Sequence, residues 1–203
     1  MIPSENKSYI TKLWYDIQKG DKYALAELFE DQYVRLYNYG RKFSNTELLV
    51  EDAIQDVFIS IWQSHNKLAD VSSVESYVLL SFRRRLIRLI NKERKMINKL
   101  PVVEPDINFI PEEFHFDDDG NNERHEILVD ALNKLPARRK EVLYLHFYNG
   151  MDYEEISQIM NLHIQTVRNY VSKALITVRN ILSDGKIPRL LSYLVIFITY
   201  IYR

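Results

Sequence analysis

The sequence contains no cysteine and only five glycines, and these shortages exclude several classes of function. Without cysteine there is no disulfide framework, no thiol nucleophile and no thiolate metal site, as is usual in a reducing compartment. The glycines are isolated from one another, at Gly20, Gly40, Gly120, Gly150 and Gly185. No glycine-rich loop is therefore present to cradle a phosphate. Since no other enzyme signature stands in the chain, we predict a protein without catalytic residues or a cofactor.

Metal ligands and a secretory leader are also missing. The five histidines lack the short, regular spacing of metal ligands, and they stand at His65, His115, His125, His146 and His163. The N-terminus opens with the polar residues 4–7 and lacks the apolar core of a signal peptide. We therefore expect no metal site, no small-molecule substrate and a cytoplasmic location.

The formal net charge is only -1, yet the charges are unevenly distributed along the chain. Residues 83–99 include eight Lys or Arg against one acid, whereas residues 104–122 include seven acids and no Lys or Arg. A basic helix face is usually only solvated, but a block this dense also suits a surface that follows a phosphate chain. Both interpretations stay open on charge alone.

Apolar residues recur at helical spacing through most of the chain, which predicts an all-α fold. The strongest stripe consists of Val50, Ala53, Ile54, Val57, Phe58, Ile61 and Trp62. The other face of that helix offers polar residues with no role in the core, namely Glu51, Asp52, Gln55 and Asp56. Two helices separated at Gly20 and Asp21 precede it, and a fourth from Glu75 to Lys95, with its arginines outward, follows a loop. Together these four helices predict a small bundle.

A proline-rich and acidic stretch separates this bundle from a second group of helices. Pro101, Pro105 and Pro111 punctuate it and no apolar period runs through it, so we predict a flexible acidic linker. The predicted organisation is a first domain at residues 1–97, the linker at 98–122, a second helical domain at 123–183 and a hydrophobic tail at 184–203.

The second domain carries a helix-turn-helix pattern. Asp152 and Glu155 have the spacing of a capping box, and a short turn at residues 161–163 separates that helix from the next. The next helix has an apolar stripe from Val167 to Val178 and leaves polar and basic side chains on its other face. The pattern is only moderately specific, because it fits a helix that reads DNA and also a solvated face.

Taken together, these segments resemble a known family. Region two of the extracytoplasmic-function (ECF) sigma factors is similar to Gly20-Asp21, Ala24, Leu28, Tyr33 and the run from Glu51 to Trp62. Region four is similar to Leu135-Pro136, the run from Asp152 to Ile156 and the run from Thr166 to Ala174. The order and spacing of the segments agree over residues 7–183. The resemblance implies a factor that directs bacterial core RNA polymerase to promoter DNA.

The resemblance also implies a role for each surface. Polymerase contact is implied for Glu51, Asp52, Gln55 and Asp56. Contact with the minus-ten promoter element is implied for Leu68, Asp70, Ser72, Ser73, Arg83, Arg84, Arg85 and Arg88. Contact with the minus-thirty-five element is implied for Gln165, Thr166, Arg168, Asn169, Ser172 and Lys173. Family habit further implies an anti-sigma factor as a partner, often one bound to the membrane.

Residues 190–202 form an uncharged apolar tail. As a helix it would span about 20 Å, short of the roughly 30 Å hydrocarbon core of a bilayer. We expect it to pack on its own domain, on an inhibitory partner or on a membrane surface, in that order. Two other interpretations of the whole chain stay open: a helix-turn-helix regulator that acts without polymerase, and a membrane-associated signalling adaptor that uses the tail.

Overall fold

The computed structural model describes residues 4–98, 106–109 and 122–184, and every regular element within these ranges is helical. The all-α fold predicted from the periodicity is confirmed. The chain divides into two compact units, which we call the first unit (residues 2–104) and the second unit (residues 105–203).

Residues 4–98 of the first unit form α1 (Ser4–Gln18), α2 (Lys22–Arg41), α3 (Glu47–Gln63) and α4 (Val74–Asn98), with a 3-10 turn at His65–Lys67. Asp21 caps α2, because its carboxylate accepts hydrogen bonds from the N–H groups of Tyr23 at 2.8 Å and Ala24 at 3.4 Å. Gly20 has φ +88°, a left-handed conformation that glycine adopts without strain. The predicted break between the first two helices is confirmed.

The core of the first unit forms where α3 packs against α2 and α4. The predicted stripe of α3 is buried at Val50, Ala53, Ile54, Val57, Phe58 and Ile61, and half-buried at Trp62. Gly40 of α2 marks the closest approach, since a Cβ there would lie 2.5 Å from Val50 Cγ1 and 2.9 Å from Phe82 Cζ. A larger residue at Gly40 would push these helices apart.

Residues 122–184 of the second unit form α5 (Asn122–Asn133), α6 (Ala137–Leu143), α7 (Tyr153–Met160) and α8 (Ile164–Asp184). The helical segment that begins with α6 continues to Tyr148, but its second half, Tyr144–Tyr148, is a π-helical turn. Asn149 is the C-cap, and Gly150 follows with φ +65°, a left-handed conformation that is common after a helix end. α8 is the central helix of the unit, because it packs against α5, α6 and α7.

Residues 106–109 fall inside the predicted linker, but they belong to the second unit and contact α5 and α6. Ile107 and Phe109 are buried, and both the N–H and the carbonyl of Phe109 hydrogen-bond to the side-chain amide of Asn133, at 2.9 and 3.0 Å. The buried Lys140 ammonium pairs with the Asp106 carboxylate at 2.7 Å. This part of the predicted flexible linker therefore makes defined contacts, because its two apolar residues gain free energy when they are buried.

The rest of the predicted linker, at 99–105 and 110–121, and the hydrophobic tail lie outside the described residues. The predicted domain bounds therefore stay predictions. Within the described ranges, no helix combines the length and the apolar character needed to cross a membrane.

Candidate functional site

The connection between α7 and α8 has the geometry of a helix-turn-helix. Asp152 Oδ1 accepts from the Glu155 N–H at 2.8 Å, and Glu155 Oε2 accepts from the Asp152 N–H at 3.1 Å, so the predicted capping box is confirmed. α7 ends at Asn161, which is left-handed with φ +53°. Because the helix ends this tightly, α8 begins at Ile164 after only three intervening residues.

The exposed face of α8 carries polar and basic side chains. Five of the six predicted residues are exposed, namely Gln165, Arg168, Asn169, Ser172 and Lys173, and Thr166 is half-buried. Gln165 Nε2 donates to Asn169 Oδ1 at 3.2 Å, and the Arg168 guanidinium carbon lies 5.9 Å from the centroid of the Tyr153 ring. Since the other face of α8 is buried at Val167, Val171, Ala174 and Val178, this face is the one that a DNA groove could meet.

The arginines of α4 do not all point outward, which corrects the prediction made for this helix. Arg84 and Arg88 are exposed, whereas Arg83 and Arg85 are half-buried. Arg85 is held by Asp56 of α3, whose Oδ2 lies 2.5 Å from Arg85 Nη2 and 2.7 Å from Arg85 Nε. The expectation fails at Arg85 because α4 packs along α3, so that a residue at the edge of that interface meets an acid of α3.

A cavity of about 300 Å³ opens between α3 and α4 beside this ion pair. The residues that line it include an aromatic one, two serines and two arginines, namely Tyr77, Ser60, Ser81, Arg84 and Arg88. An aromatic ring next to cationic groups is the combination by which proteins bind single-stranded nucleic acid, since the ring stacks on a base and the cations contact phosphates.

The loop at residues 68–73 is fastened to α1. Trp14 Nε1 donates to the Ala69 carbonyl at 3.1 Å. Gln18 Nε2 donates to the Leu68 carbonyl at 3.1 Å and to Asp70 Oδ1 at 3.2 Å. The sequence analysis gave Trp14 and Gln18 no role at this loop, because their partners stand about fifty positions away in the chain.

The predicted residues of this loop differ in exposure and contacts. Asp70 and Ser72 are exposed, whereas Leu68 and Ser73 are half-buried. Ser73 caps α4, because its Oγ accepts from the Ser76 N–H at 3.2 Å. A serine directly before an apolar helix is a recognisable capping signal, so the structural role of Ser73 was open to prediction from the sequence.

The acidic face of α3 divides into an exposed centre and an occupied edge. Asp52 and Gln55 are exposed, whereas Glu51 and Asp56 are half-buried. Glu51 Oε1 accepts from the Tyr33 hydroxyl at 3.3 Å, and Asp56 is the partner of Arg85. The sequence predicted four equivalent residues on this face, and the structure shows two with intramolecular partners.

Two exposed apolar side chains extend the centre of this face. Leu48 is 72% exposed and Ile59 is 52% exposed. Their spacing with Asp52 and Gln55 places all four on one side of the helix. Sequence reasoning missed Leu48 and Ile59, although the helical spacing from Asp52 and Gln55 was the signal that could have found them.

Two tyrosines of α2 hold acids of α3. The Tyr37 hydroxyl donates to the Glu47 carboxylate, and this hydrogen bond, together with burial and the charge of Glu47, raises the pKa of Tyr37. Burial and then the negative charge of Glu51 raise the pKa of Tyr33. Both phenols therefore stay protonated at neutral pH and act as donors to these carboxylates.

Comparison with protein families assigns both units. A sequence model of sigma-70 region 2 matches residues 28–96, and a model of sigma-70 region 4 matches residues 125–178. The two matches together cover more than half of the 203 residues. The chain belongs to the sigma-70 family of RNA polymerase sigma factors.

Curated relatives place this sigma factor in the ECF subfamily. ECF RNA polymerase sigma factor SigK of Mycobacterium ulcerans is 19% identical over 181 residues, which are 89% of this chain and 97% of the relative. ECF RNA polymerase sigma factor SigL of Mycobacterium tuberculosis is 21% identical over 165 residues, 81% and 92% of the two chains. RNA polymerase sigma factor NccH of Alcaligenes xylosoxydans xylosoxydans is 24% identical over 165 residues, 77% and 85%.

Two solved structures share the fold of this sigma factor. CnrH in complex with the cytosolic domain of CnrY matches with a TM-score of 0.60 and 18% identity, over 87% of this chain and 98% of that one. The sigma factor RpoE in complex with the anti-sigma factor NepR from Bartonella quintana matches with a TM-score of 0.54 and 19% identity, over 76% and 95%.

As a sigma factor, the protein directs RNA polymerase to promoters and is not an enzyme. A helix-turn-helix regulator that acts without polymerase is not favoured, because region 2 is matched as well as region 4. Across residues 4–98, 106–109 and 122–184, no group of three or more His, Asp or Glu side chains could hold a metal ion.

Proposed function

We propose that three surfaces of this sigma factor divide the work of initiation. The outer face of α3 binds core RNA polymerase, the loop at 68–73 with α4 binds the minus-ten element, and the exposed face of α8 reads the minus-thirty-five element. The observation that carries the proposal is the exposed face of α8, which is polar and basic and follows a capped helix-turn-helix connection.

The side chains of α8 suit a major groove. Arg168 and Lys173 bring positive charge, which favours phosphate or guanine contact. Gln165 and Asn169 carry amides of the kind that read adenine, and they already hydrogen-bond to each other at 3.2 Å. No acid stands between residues 161 and 183 to repel the DNA backbone. These features favour sequence reading over mere solvation of the helix.

The cavity beside α4 suits an opened minus-ten element. Unstacking a base costs a few kcal/mol, which contacts to the extruded strand must offset. Tyr77 offers a ring for stacking, and the exposed Arg84 and Arg88 offer charge for phosphates. Arg85 has to share its guanidinium with Asp56, so we propose a smaller part for Arg85 in phosphate contact.

The centre of the α3 face suits a protein partner. An exposed acid and an amide, Asp52 and Gln55, lie between the exposed apolar side chains of Leu48 and Ile59. Interfaces combine apolar anchors with a few well-placed polar groups, and this strip has both. We propose that this strip is the polymerase contact, with Glu51 and Asp56 at its edge.

We further propose an anti-sigma factor as a partner and a cytoplasmic location shared with polymerase. Both solved structures are complexes, of CnrH with the cytosolic domain of CnrY and of the sigma factor RpoE with the anti-sigma factor NepR, which supports the first point. Membrane association through the tail is tested by fractionating the full-length chain beside a chain that ends at Asp184. A membrane role requires that only the full-length chain follow the membranes, and it is excluded if both stay in the supernatant.

Run-off transcription tests the proposed function as a whole. Core polymerase is mixed with the full-length protein and a library of promoters, and the transcribed sequences are identified. We expect enrichment of two promoter elements, the upstream one lost when α8 carries Arg168→Ala and Lys173→Ala. Failure of purified core polymerase to bind the protein, or binding to an operator without polymerase, would contradict the proposal.

A further inference from the structure

We infer that Gln18 of α1 is a positioning residue, which orients the Asp70 carboxylate toward one unstacked base of the minus-ten element. The oriented carboxylate then selects a base with an exocyclic amine over thymine. The inference rests on the proposed minus-ten role of the loop at 68–73. Residue 18 lies outside residues 28–96, the part matched by the region 2 model, and none of the comparisons gives it a role.

The main chain of the loop is held at two successive carbonyls. Gln18 Nε2 donates to the Leu68 carbonyl at 3.1 Å, and Trp14 Nε1 donates to the Ala69 carbonyl at 3.1 Å. Trp14 is itself fixed, because it is 3% exposed and its ring meets the Tyr77 ring of α4 edge to face, with centroids 5.1 Å apart. α1 therefore sets the path of the loop next to the cavity wall formed by Tyr77.

The same amide of Gln18 also orients the side chain of Asp70. Its nitrogen carries two hydrogens, and the second contact runs to Asp70 Oδ1 at 3.2 Å. Asp70 is exposed, so its other carboxylate oxygen, Oδ2, is left for a ligand. Fixing an exposed side chain in advance lowers the entropy cost of binding and sharpens the choice between ligands.

The chemistry of a carboxylate determines what this position can recognise. An ionised carboxylate only accepts hydrogen bonds, and it repels phosphate, so its favourable contact in nucleic acid is an N–H group of a base. Thymine is the base that lacks an exocyclic amine, and its one N–H donor lies between two carbonyl oxygens that repel a carboxylate. We therefore expect discrimination against thymine at one minus-ten position, on the order of tenfold.

The test uses the full-length protein with core polymerase and a promoter library randomised across the minus-ten element. Gln18→Leu removes both donated hydrogen bonds, and Asp70→Asn supplies an amide that can donate to thymine. Lys12→Leu, at an exposed position of the same helix, is the matched control. Sequencing of the transcripts gives the ratio of amine-bearing bases to thymine at each position.

We expect Gln18→Leu and Asp70→Asn each to reduce the discrimination against thymine at the same position by about tenfold, and the double variant to add nothing further. Preference at the minus-thirty-five element and binding to core polymerase should stay unchanged, as should all readouts for Lys12→Leu. An equal loss of transcription on every promoter, or an unchanged base ratio, overturns the inference.

A replacement variant and the behaviour of the wild-type protein separate the remaining outcomes. If Gln18→Leu does not fold, Gln18→Glu removes the same donors with the same shape and is read by the same ratio. If the wild-type protein selects promoters but neither substitution shifts the ratio, the inference alone fails. If the wild-type protein directs polymerase to no promoter, the proposed function fails with it.

Discussion

The two units present the side chains proposed for recognition in different states. On α8 of the second unit, Arg168 and Lys173 are exposed on a face backed by a buried core. In the first unit, by contrast, Arg85 is paired with Asp56, and Asp70 is held by Gln18. A ligand that contacts Arg85 or Asp70 must therefore share or exchange an ion pair or a hydrogen bond, whereas Arg168 on α8 is exposed and lies over the Tyr153 ring.

The buried lysines of the two units also differ. Lys140 of the second unit is 2% exposed, and the Asp106 carboxylate lies 2.7 Å from its ammonium. Lys42 of the first unit is 7% exposed, and burial lowers its pKa to about 8. The Asp106 carboxylate therefore compensates the buried charge of Lys140, whereas burial disfavours the charged form of Lys42.

The largest expected effect concerns the exposed strip of α3. Asp52→Lys should weaken binding to core polymerase by about a hundredfold, because it reverses the charge at the centre of the proposed interface. The fold should be retained, since Asp52 is exposed. Titration of labelled core polymerase measures the affinity, with Glu30→Lys on α2 as the control. Equal affinities for the two variants would place the interface elsewhere. A loss of binding in Asp56→Lys would be harder to interpret, because this substitution also breaks the ion pair with Arg85.

The next effect concerns α8. Arg168→Ala and Lys173→Ala should each weaken promoter binding by about 1 to 3 kcal/mol if the side chain contacts a base edge. The loss should be specific to the minus-thirty-five sequence, because both side chains are exposed and the one contact that the Arg168 variant removes is that with the Tyr153 ring. Binding of holoenzyme to matched and scrambled promoters measures it, with the exposed Lys134→Ala as control. Undiminished discrimination in both variants would show that α8 does not read DNA.

A smaller effect concerns Lys42, whose contribution to stability should depend on pH. An unfolded lysine has a pKa near 10.5, so between pH 8 and 10.5 it keeps a proton that Lys42 has lost in the folded state. Stability therefore rises with pH across this window, by at most about 1.4 kcal/mol per pH unit. The contribution of the tyrosines cancels when the unfolding free energy of Lys42→Met is subtracted from that of the wild type. The difference therefore reports the contribution of Lys42 alone. If this difference in unfolding free energy does not change between pH 8 and 10, the prediction is wrong.

The smallest effect should come from the Asp56–Arg85 pair. Their side chains are 39% and 34% exposed, so solvent screens the attraction and we expect a coupling below about 1 kcal/mol. A double-mutant cycle with Asp56→Ala and Arg85→Ala, followed by urea unfolding, measures it. A coupling of several kcal/mol would mean that the pair is a rigid part of the fold, and exchange of Arg85 onto DNA would then be unfavourable.

Local features of this protein were predictable from its residues. The break at Gly20 and Asp21, the stripe from Val50 to Ile61 and the capping box of Asp152 with Glu155 all follow from interactions within a few positions. Helical spacing and capping depend on neighbours along one helix, so the sequence determines them directly. The family resemblance likewise followed from the order of such local segments.

Only the tertiary structure decided which side chains are already engaged. Arg85 and Asp56 are 29 positions apart in sequence, and Gln18 and Asp70 are 52 positions apart. The docking of Ile107 and Phe109 onto the second unit was likewise hidden in an acidic stretch. Such contacts depend on how whole helices pack against each other, and the periodicity of a single helix carries no information about the angle or depth of that packing.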